Sequence, residues 1–361
     1  MLREHYQDRL KLNQFTLRQE LDGEDLKQVQ ATGIRLWLEE VTDKSFGRDI
    51  VNDAIDLVCY EQGYAPLIEY LDRLKWDGVS RLETWLSDVY GAEQNEYTAA
   101  VGKCWPASGV ARAYNPGCKV RNVLLLSGIE DLGKSISLED FCPVRDWFTD
   151  SLSADLHSKD AAITLCGKWI VESAEMASMK RSEQEAVKAF LSRNVDDFRP
   201  PYGRKNELVP RRCIFAATTN HDDVLSWGKE NTRFWPVLAV EYNRDYLLNN
   251  RDQLWAEAKV LYQKGVQWWL TDESTKKEAK AAREGFEASH PWYQAIADYM
   301  ETRDTVVGSD LLGPLLLDIP KASQTDVMLK TISRILKKLG FERKTIWVDG
   351  KAVKGYKRAK T

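Results

Sequence analysis

Gly128, Ile129, Glu130, Asp131, Leu132, Gly133, Lys134 and Ser135 spell the phosphate-loop pattern G-x-x-x-x-G-K-[ST] directly after an apolar run, Val123 to Leu126. Such a loop works only where a buried strand ends in a tight turn whose backbone N–H groups wrap phosphate, with a helix N-terminus aimed at it. The pattern therefore calls for an α/β fold in which 123–126 is a buried strand and Ser135 to Asp140 opens a helix. In that arrangement Lys134 reaches the outer phosphates of ATP, and the Ser135 hydroxyl holds magnesium. Glu130 and Asp131 put two carboxylates inside an anion site. Either the loop binds nucleotide through its backbone, or it has lost that role.

At 361 residues, 43% hydrophobic and 29% charged, the chain is long enough for a sizeable core and for more than one domain. No apolar run approaches the roughly 20 residues of a membrane span, and the start lacks a signal-type apolar stretch, so a cytoplasmic location and no membrane partner are expected. Cys59, Cys104, Cys118, Cys142, Cys166 and Cys213 are scattered without a C-x-x-C pair. That spacing argues against a zinc site or a disulfide framework.

Further along, Lys168 to Glu172 reads as a strand ending in an acid, about forty residues after the loop. In a P-loop nucleotidase such an acid joins the magnesium shell, and a nearby carboxylate polarises the attacking water, tasks that Glu172 and Glu175 can share. The bland alternative is a strand end meeting solvent. Cys213 to Asn220 is a third strand, and the amide of Asn220 suits a sensor that contacts water and γ-phosphate together. Arg233 precedes another apolar run, Val237 to Val240, where it can stabilise transition-state charge in a neighbouring subunit or simply pair with an acid. Between the second and third strands, prolines flank a tip carrying Arg204 and Lys205, the pattern of an exposed basic loop or hairpin.

The net charge of −4 conceals an uneven distribution: Thr325 to Thr361 holds eleven Lys or Arg against three Asp or Glu. A basic end on an acidic body fits a polyanion-binding surface, and equally a solvated tail. Met328, Leu329, Ile332, Ile335, Leu336 and Leu339 recur at helical spacing. Arg343 to Val348 and Lys351 to Tyr356 flank Asp349-Gly350, a strong hairpin signal. Helix plus basic hairpin reads as a winged-helix-like domain, with Lys330, Arg334, Lys337 and Lys338 on the helix and Lys351 and Lys354 on the wing as candidate DNA contacts.

Taken in order, Ser108-Gly-Val-Ala-Arg-Ala-Tyr, the phosphate loop, Asp146-Trp-Phe-Thr-Asp150, Gly167-Lys-Trp-Ile-Val-Glu, Val187-Lys-Ala-Phe-Leu-Ser, Arg199-Pro-Pro-Tyr-Gly-Arg, Thr218-Thr-Asn, Arg233-Phe-Trp-Pro and Gln253-Leu-Trp-Ala-Glu-Ala form a recognisable series. Over about Trp105 to Trp292 the chain resembles the virulence-associated protein E family, phage and mobile-element proteins similar to superfamily 3 helicases of the AAA+ class. With the winged-helix-like reading of the C-terminal pattern, the resemblance gives an expected order of a helical N-terminal region (1–104), an AAA+ P-loop ATPase core (105–245), a helical extension (246–289) and the winged-helix-like domain (290–361). It implies ATP and magnesium as cofactors and an ATP-dependent helicase or translocase. The partners it implies are single-stranded or forked DNA, further copies of the chain in a ring such as a hexamer, and a separate primase.

By that resemblance Lys134 and Ser135 serve phosphate and magnesium, Glu172 is the strand acid, Asn220 the sensor, Arg233 the finger, and Arg204 and Lys205 the DNA hairpin. Family loops usually carry Gln-Gly where this chain has Glu130 and Asp131. Position 131 is thus expected to need φ > 0, which Asp tolerates less well than Gly. The competing reading is a non-hydrolysing DNA-binding, assembly or regulatory module with a degenerate loop.

Overall fold

The computed structural model describes the chain except residues 153–155, 157–158, 175–180, 200–204, 221–231, 272, 274, 276, 278–290, 322–323, 325, 349–350 and 360–361. The chain divides into two compact units, Met1–Thr219 with Glu230–Ala279, and Asn220–Lys229 with Lys280–Thr361.

The first unit begins with α1 (Leu2–His5), β1 (Leu10–Asn13), β2 (Arg18–Leu21), β3 (Glu24–Asp25), α2 (Gln28–Thr42) and α3 (Arg48–Glu61). The N-terminal region, expected to be helical, carries a three-stranded antiparallel meander beside its helices. Asp22 and Gly23, at φ 56° and 87°, join β2 to β3 in two residues, the type I′ geometry that Asp-Gly favours. On α3, Val51, Ile55, Val58 and Cys59 make one helical stripe and close a small core with Leu2, Tyr6 and Leu10.

Next come α4 (Pro66–Arg73), α5 (Trp85–Tyr90) and α6 (Glu96–Tyr114). The expected boundary at 104–105 falls inside α6, which is buried around most of its circumference. Pro106 in its interior removes the N–H that would bond the Gly102 carbonyl, and the Trp85 indole N–H donates to that carbonyl instead, at 3.0 Å. Buried Trp105, Trp169 and Trp255 likewise donate to the carbonyls of Phe215, Gly109 and Phe141. The aromatic core thus packs tightly without stranding an indole N–H.

The remaining elements of this unit are β4 (Val123–Gly128), α7 (Lys134–Phe141), β5 (Phe148–Thr149), α8 (Lys159–Thr164), β6 (Ile170–Ala174), α9 (Arg181–Leu191), β7 (Val195–Phe198), β8 (Glu207–Pro210), β9 (Ile214–Asn220), β10 (Phe234–Leu238) and α10 (Arg244–Gln263). Five strands form one sheet in the order β10-β4-β9-β6-β5, with parallel pairing of β10 to β4, β9 to β6 and β6 to β5. The fold is mixed α/β around a parallel sheet. β10 begins three residues earlier than the apolar run Val237 to Val240 indicated. Pro236 is accommodated because β10 lies at the edge of the sheet, where a missing N–H costs no ladder bond. β7 and β8 pair separately as an antiparallel hairpin.

The second unit contains α11 (Pro291–Met300), β11 (Thr305–Val306), α12 (Asp326–Lys338), β12 (Phe341–Val348) and β13 (Lys351–Arg358). Its antiparallel sheet has the order β11-β13-β12, and β12 pairs with β13 from Phe341↔Arg358 to Val348↔Lys351. Ile332, Ile335 and Leu336 of α12 are buried with Ile296, Met300 and Phe341. Leu329, expected on that stripe, is instead 38% exposed. Among the described residues no helix is long and apolar enough to cross a membrane.

Candidate functional site

Every residue of β4 is buried, as expected of a central strand covered on both faces. Gly128 ends it at a point where an added Cβ would lie 2.4 Å from the Ala239 carbonyl oxygen, so no side chain fits. The chain turns through Asp131 (φ 60°) and Gly133 (φ 89°) before α7 begins at Lys134. Asp enters the left-handed region more readily than most residues, so the loop keeps its turn without a glycine at 131. The change from Gly to Asp therefore acts mainly through charge. At its far end α7 is fixed by α10: Trp255 donates to the Phe141 carbonyl, and Arg251 to the carbonyls of Asp140 and Cys142. Tyr242 and Arg244 bond the Asp140 carboxylate at 2.6 and 2.8 Å. These contacts occupy helix-end carbonyls and hold the orientation of the N-terminus.

Lys134 is largely buried, and its Nζ donates to the carbonyls of Gly128 and Ile129 at 3.0 and 2.6 Å. Burial lowers its pKa, while Glu130, Asp131 and Glu172 act in the opposite direction. The two loop carboxylates are exposed and support the lysine's charge. Their repulsion toward a phosphate is accordingly screened by water, about 1 kcal/mol at 4 Å in bulk solvent.

Ser135 Oγ donates to Glu172 Oε1 at 2.7 Å, which brings the loop hydroxyl onto the acid of β6. Thr218 Oγ1, on β9, donates to the same oxygen at 2.5 Å. Glu172 is fully buried, and its Oε2 has no hydrogen-bond partner among the described residues. Burial raises the Glu172 pKa above the usual carboxylate range; the bonds from Thr218 and Ser135 lower it, Asp150 raises it and Lys134 lowers it. Asp150 comes one residue after β5, whose Thr149 pairs with Val171, the residue before Glu172.

Of the remaining sequence candidates, Glu175 and Arg204 lie outside the described residues. Asn220 is the last residue of β9, and its side chain is also outside them. The Arg233 carbonyl accepts from Val123 N at 2.9 Å, which puts Arg233 beside the start of β4, five residues from the strand end that carries the loop. At about 3.3 Å per residue that is roughly 16 Å from its own phosphate loop. Lys205 is exposed between β7 and β8, and Lys337 and Lys354 are exposed in the second unit. The side chains of Lys330, Arg334, Lys338 and Lys351 are outside the described residues. Thr218 and Asp150 escaped the sequence reading as partners of Glu172. The only available signal was Thr218 preceding Asn220 by two, which puts both on one face of a strand.

Solved apo structures of the NrS-1 C-terminal region are similar in part. Two cover 80% of this chain and 78% of theirs, at 13% and 12% identity with TM-scores of 0.40 and 0.41. A third, of region 305–718, covers 97% of this chain and 95% of its own at 12% identity, with a TM-score of 0.43. No curated protein matches the chain. A family model described as the virulence-associated protein E-like domain matches residues 71–288, well over half of the sequence, and the chain belongs to that family.

Proposed function

We propose that the chain is a P-loop nucleoside triphosphatase of the AAA+ type that drives movement on DNA during replication of a phage or mobile element. The observation that carries this reading is the 2.7 Å bond between Ser135 and Glu172. A hydroxyl at the start of the loop helix and a buried acid from a neighbouring strand are the two protein groups a nucleotide-bound magnesium needs. The Oε2 of Glu172, without a hydrogen-bond partner among the described residues, fits that assignment, since a buried carboxylate oxygen without a donor is costly unless something cationic, or a water held by it, completes it. No cluster of three or more His, Cys, Asp or Glu able to hold a metal occurs among the described residues, so the ion would arrive with the phosphates. When bound, magnesium supplies charge neutralisation at the transferred phosphate. Ser135 and Glu172 hold it, Lys134 contacts the outer phosphates, and Thr218 fixes the carboxylate's orientation.

Ring assembly belongs to the proposal because Arg233 starts at the opposite end of β4 from its own loop. It can act as a finger only on a neighbouring copy's nucleotide. Lys205 near the β7–β8 tip, with Arg204, and the basic second unit with its winged-helix-like order of helix and hairpin supply the DNA contacts in this reading. A second reading, a non-hydrolysing DNA-binding module, draws on Glu130 and Asp131.

Titration with magnesium-ATP separates the two. Wild type is expected to bind and Lys134→Ala to lose at least tenfold in affinity. Asp131→Asn, which removes the charge but keeps the turn, is expected to bind about fivefold more tightly, near the ~1 kcal/mol of one screened charge. Asp131→Gly should match that affinity and add about 1 kcal/mol of stability by relieving the left-handed Asp. Absence of nucleotide binding in all of them, with DNA binding intact in Lys134→Ala, would favour the second reading.

A further inference from the structure

In the second unit β11 pairs, among the described residues, with Tyr356 and Lys357 alone, so from Lys344 and Gly355 outward β12 and β13 form a two-stranded ribbon. On one face of that ribbon the register sets Arg343 opposite Tyr356, Thr345 opposite Lys354 and Trp347 opposite Ala352. Trp347 is 75% exposed, while Phe341 and Tyr356 at the base of the same face are buried. A tryptophan so open to water is unusual, and the residue across from it, Ala352, carries only a methyl group. Lys354 lies on the diagonal from Trp347, about 7–8 Å away between backbones, and Arg343 on the diagonal from Lys354. Neither cation has an ion-pair partner among the described residues, whereas Lys344 on the opposite face pairs with Glu342 at 2.6 Å.

We propose that this face of the hairpin is a base-stacking surface for single-stranded DNA, with Trp347 as the platform and Arg343 and Lys354 on the flanking phosphates. The charge of the segment identifies the occupant: eleven cations against three acids from Thr325 to Thr361 suit a polyanion and oppose a basic or neutral partner. A flat aromatic ring beside spaced cations offers an unstacked base its π-face and the backbone its countercharge, a combination tolerant of sequence. The inference deepens the DNA-motor reading and rests on its claim that the second unit meets DNA.

The test measures binding of a fluorescent oligothymidylate to the full chain across a salt series. Trp347→Ala is expected to weaken binding about fivefold to a hundredfold without changing the salt slope, because the indole neutralises no phosphate. Trp347→Phe retains most of the affinity, which separates stacking from misfolding. Lys354→Gln lowers the slope by about 0.7. Binding by wild type that Trp347→Ala leaves unchanged overturns the stacking surface while sparing the DNA reading. An equal loss on blunt duplex, whose bases are not free to stack, also overturns it. Absence of DNA binding by wild type at low salt removes the DNA reading itself.

Discussion

Glu172→Gln is expected to reduce ATP turnover by about 10²- to 10⁴-fold and, at the same time, to make the first unit more stable. The amide carbonyl can still accept from Ser135 and Thr218, so the local structure is kept. What disappears is a buried charge with one oxygen unpartnered among the described residues, a relief of about 1–2 kcal/mol and roughly 2–4 °C in the unfolding midpoint. The pH dependence follows from the raised pKa. In the unfolded chain the carboxyl ionises near 4.3, whereas in the folded chain it holds its proton to higher pH. Wild-type stability therefore falls as pH rises from about 4.3 through the folded pKa. The variant's advantage should be full above that window and vanish below about pH 4. Turnover should run the opposite way: it needs the carboxylate, so its acid limb lies above the ordinary glutamate range and moves to lower pH as magnesium rises, because a cation favours the ionised form. Differential scanning of both proteins from pH 4 to 8, with initial rates alongside, checks both parts. A variant less stable than wild type at pH 7.5 would contradict the strained-carboxylate account.

Arg211→Met should have the largest effect on folding. Arg211 forms a two-pronged pair with Asp196 at 2.5 and 2.8 Å, and donates to the Phe190 carbonyl at 2.6 Å. Its guanidinium also lies 4.3 Å from the Phe190 ring centroid. Both charged side chains are almost wholly buried. Removing the arginine leaves Asp196 charged in the interior, a loss of about 3–5 kcal/mol in urea unfolding. Replacing both residues with apolar ones, Arg211→Met with Asp196→Leu, should recover most of it, because the pair's own net worth is small once neither charge is stranded. The pair ties β7 to the end of β8 and to α9, so it anchors the base of the hairpin near whose tip Lys205 sits. Since Arg211 precedes the start of β9, away from the strand end bearing Thr218, the double variant should keep nucleotide affinity. A double variant as unstable as Arg211→Met alone would refute this account of the anchor.

The sequence made some of this plain and hid the rest for physical reasons. β4 was legible because a strand covered on both faces must be a continuous apolar run. The hairpin of β12 and β13 was legible because Asp349-Gly350 favours a two-residue turn. α6 was not, since a helix buried nearly all round has no polar face to betray its period, and Pro106 argues locally against a helix that a tryptophan N–H completes. The β1–β3 meander was missed although Asp22-Gly23 carried the same signal, because its strands are only four, four and two residues long. At the site, Lys134, Ser135 and Glu172 could be named from spacing. That Thr218 shares an oxygen of Glu172 with Ser135, and that Asp150 raises the pKa of the same carboxyl, depends on strand order and register, which one sequence does not encode locally.

Magnesium-dependent ATP turnover by the purified chain, measured with and without single-stranded DNA and beside Lys134→Ala, decides whether this loop is the engine of a DNA motor. Hydrolysis is expected to rise with DNA and to fall to background in the variant. Turnover equal in the two proteins, or none in either, would contradict that reading.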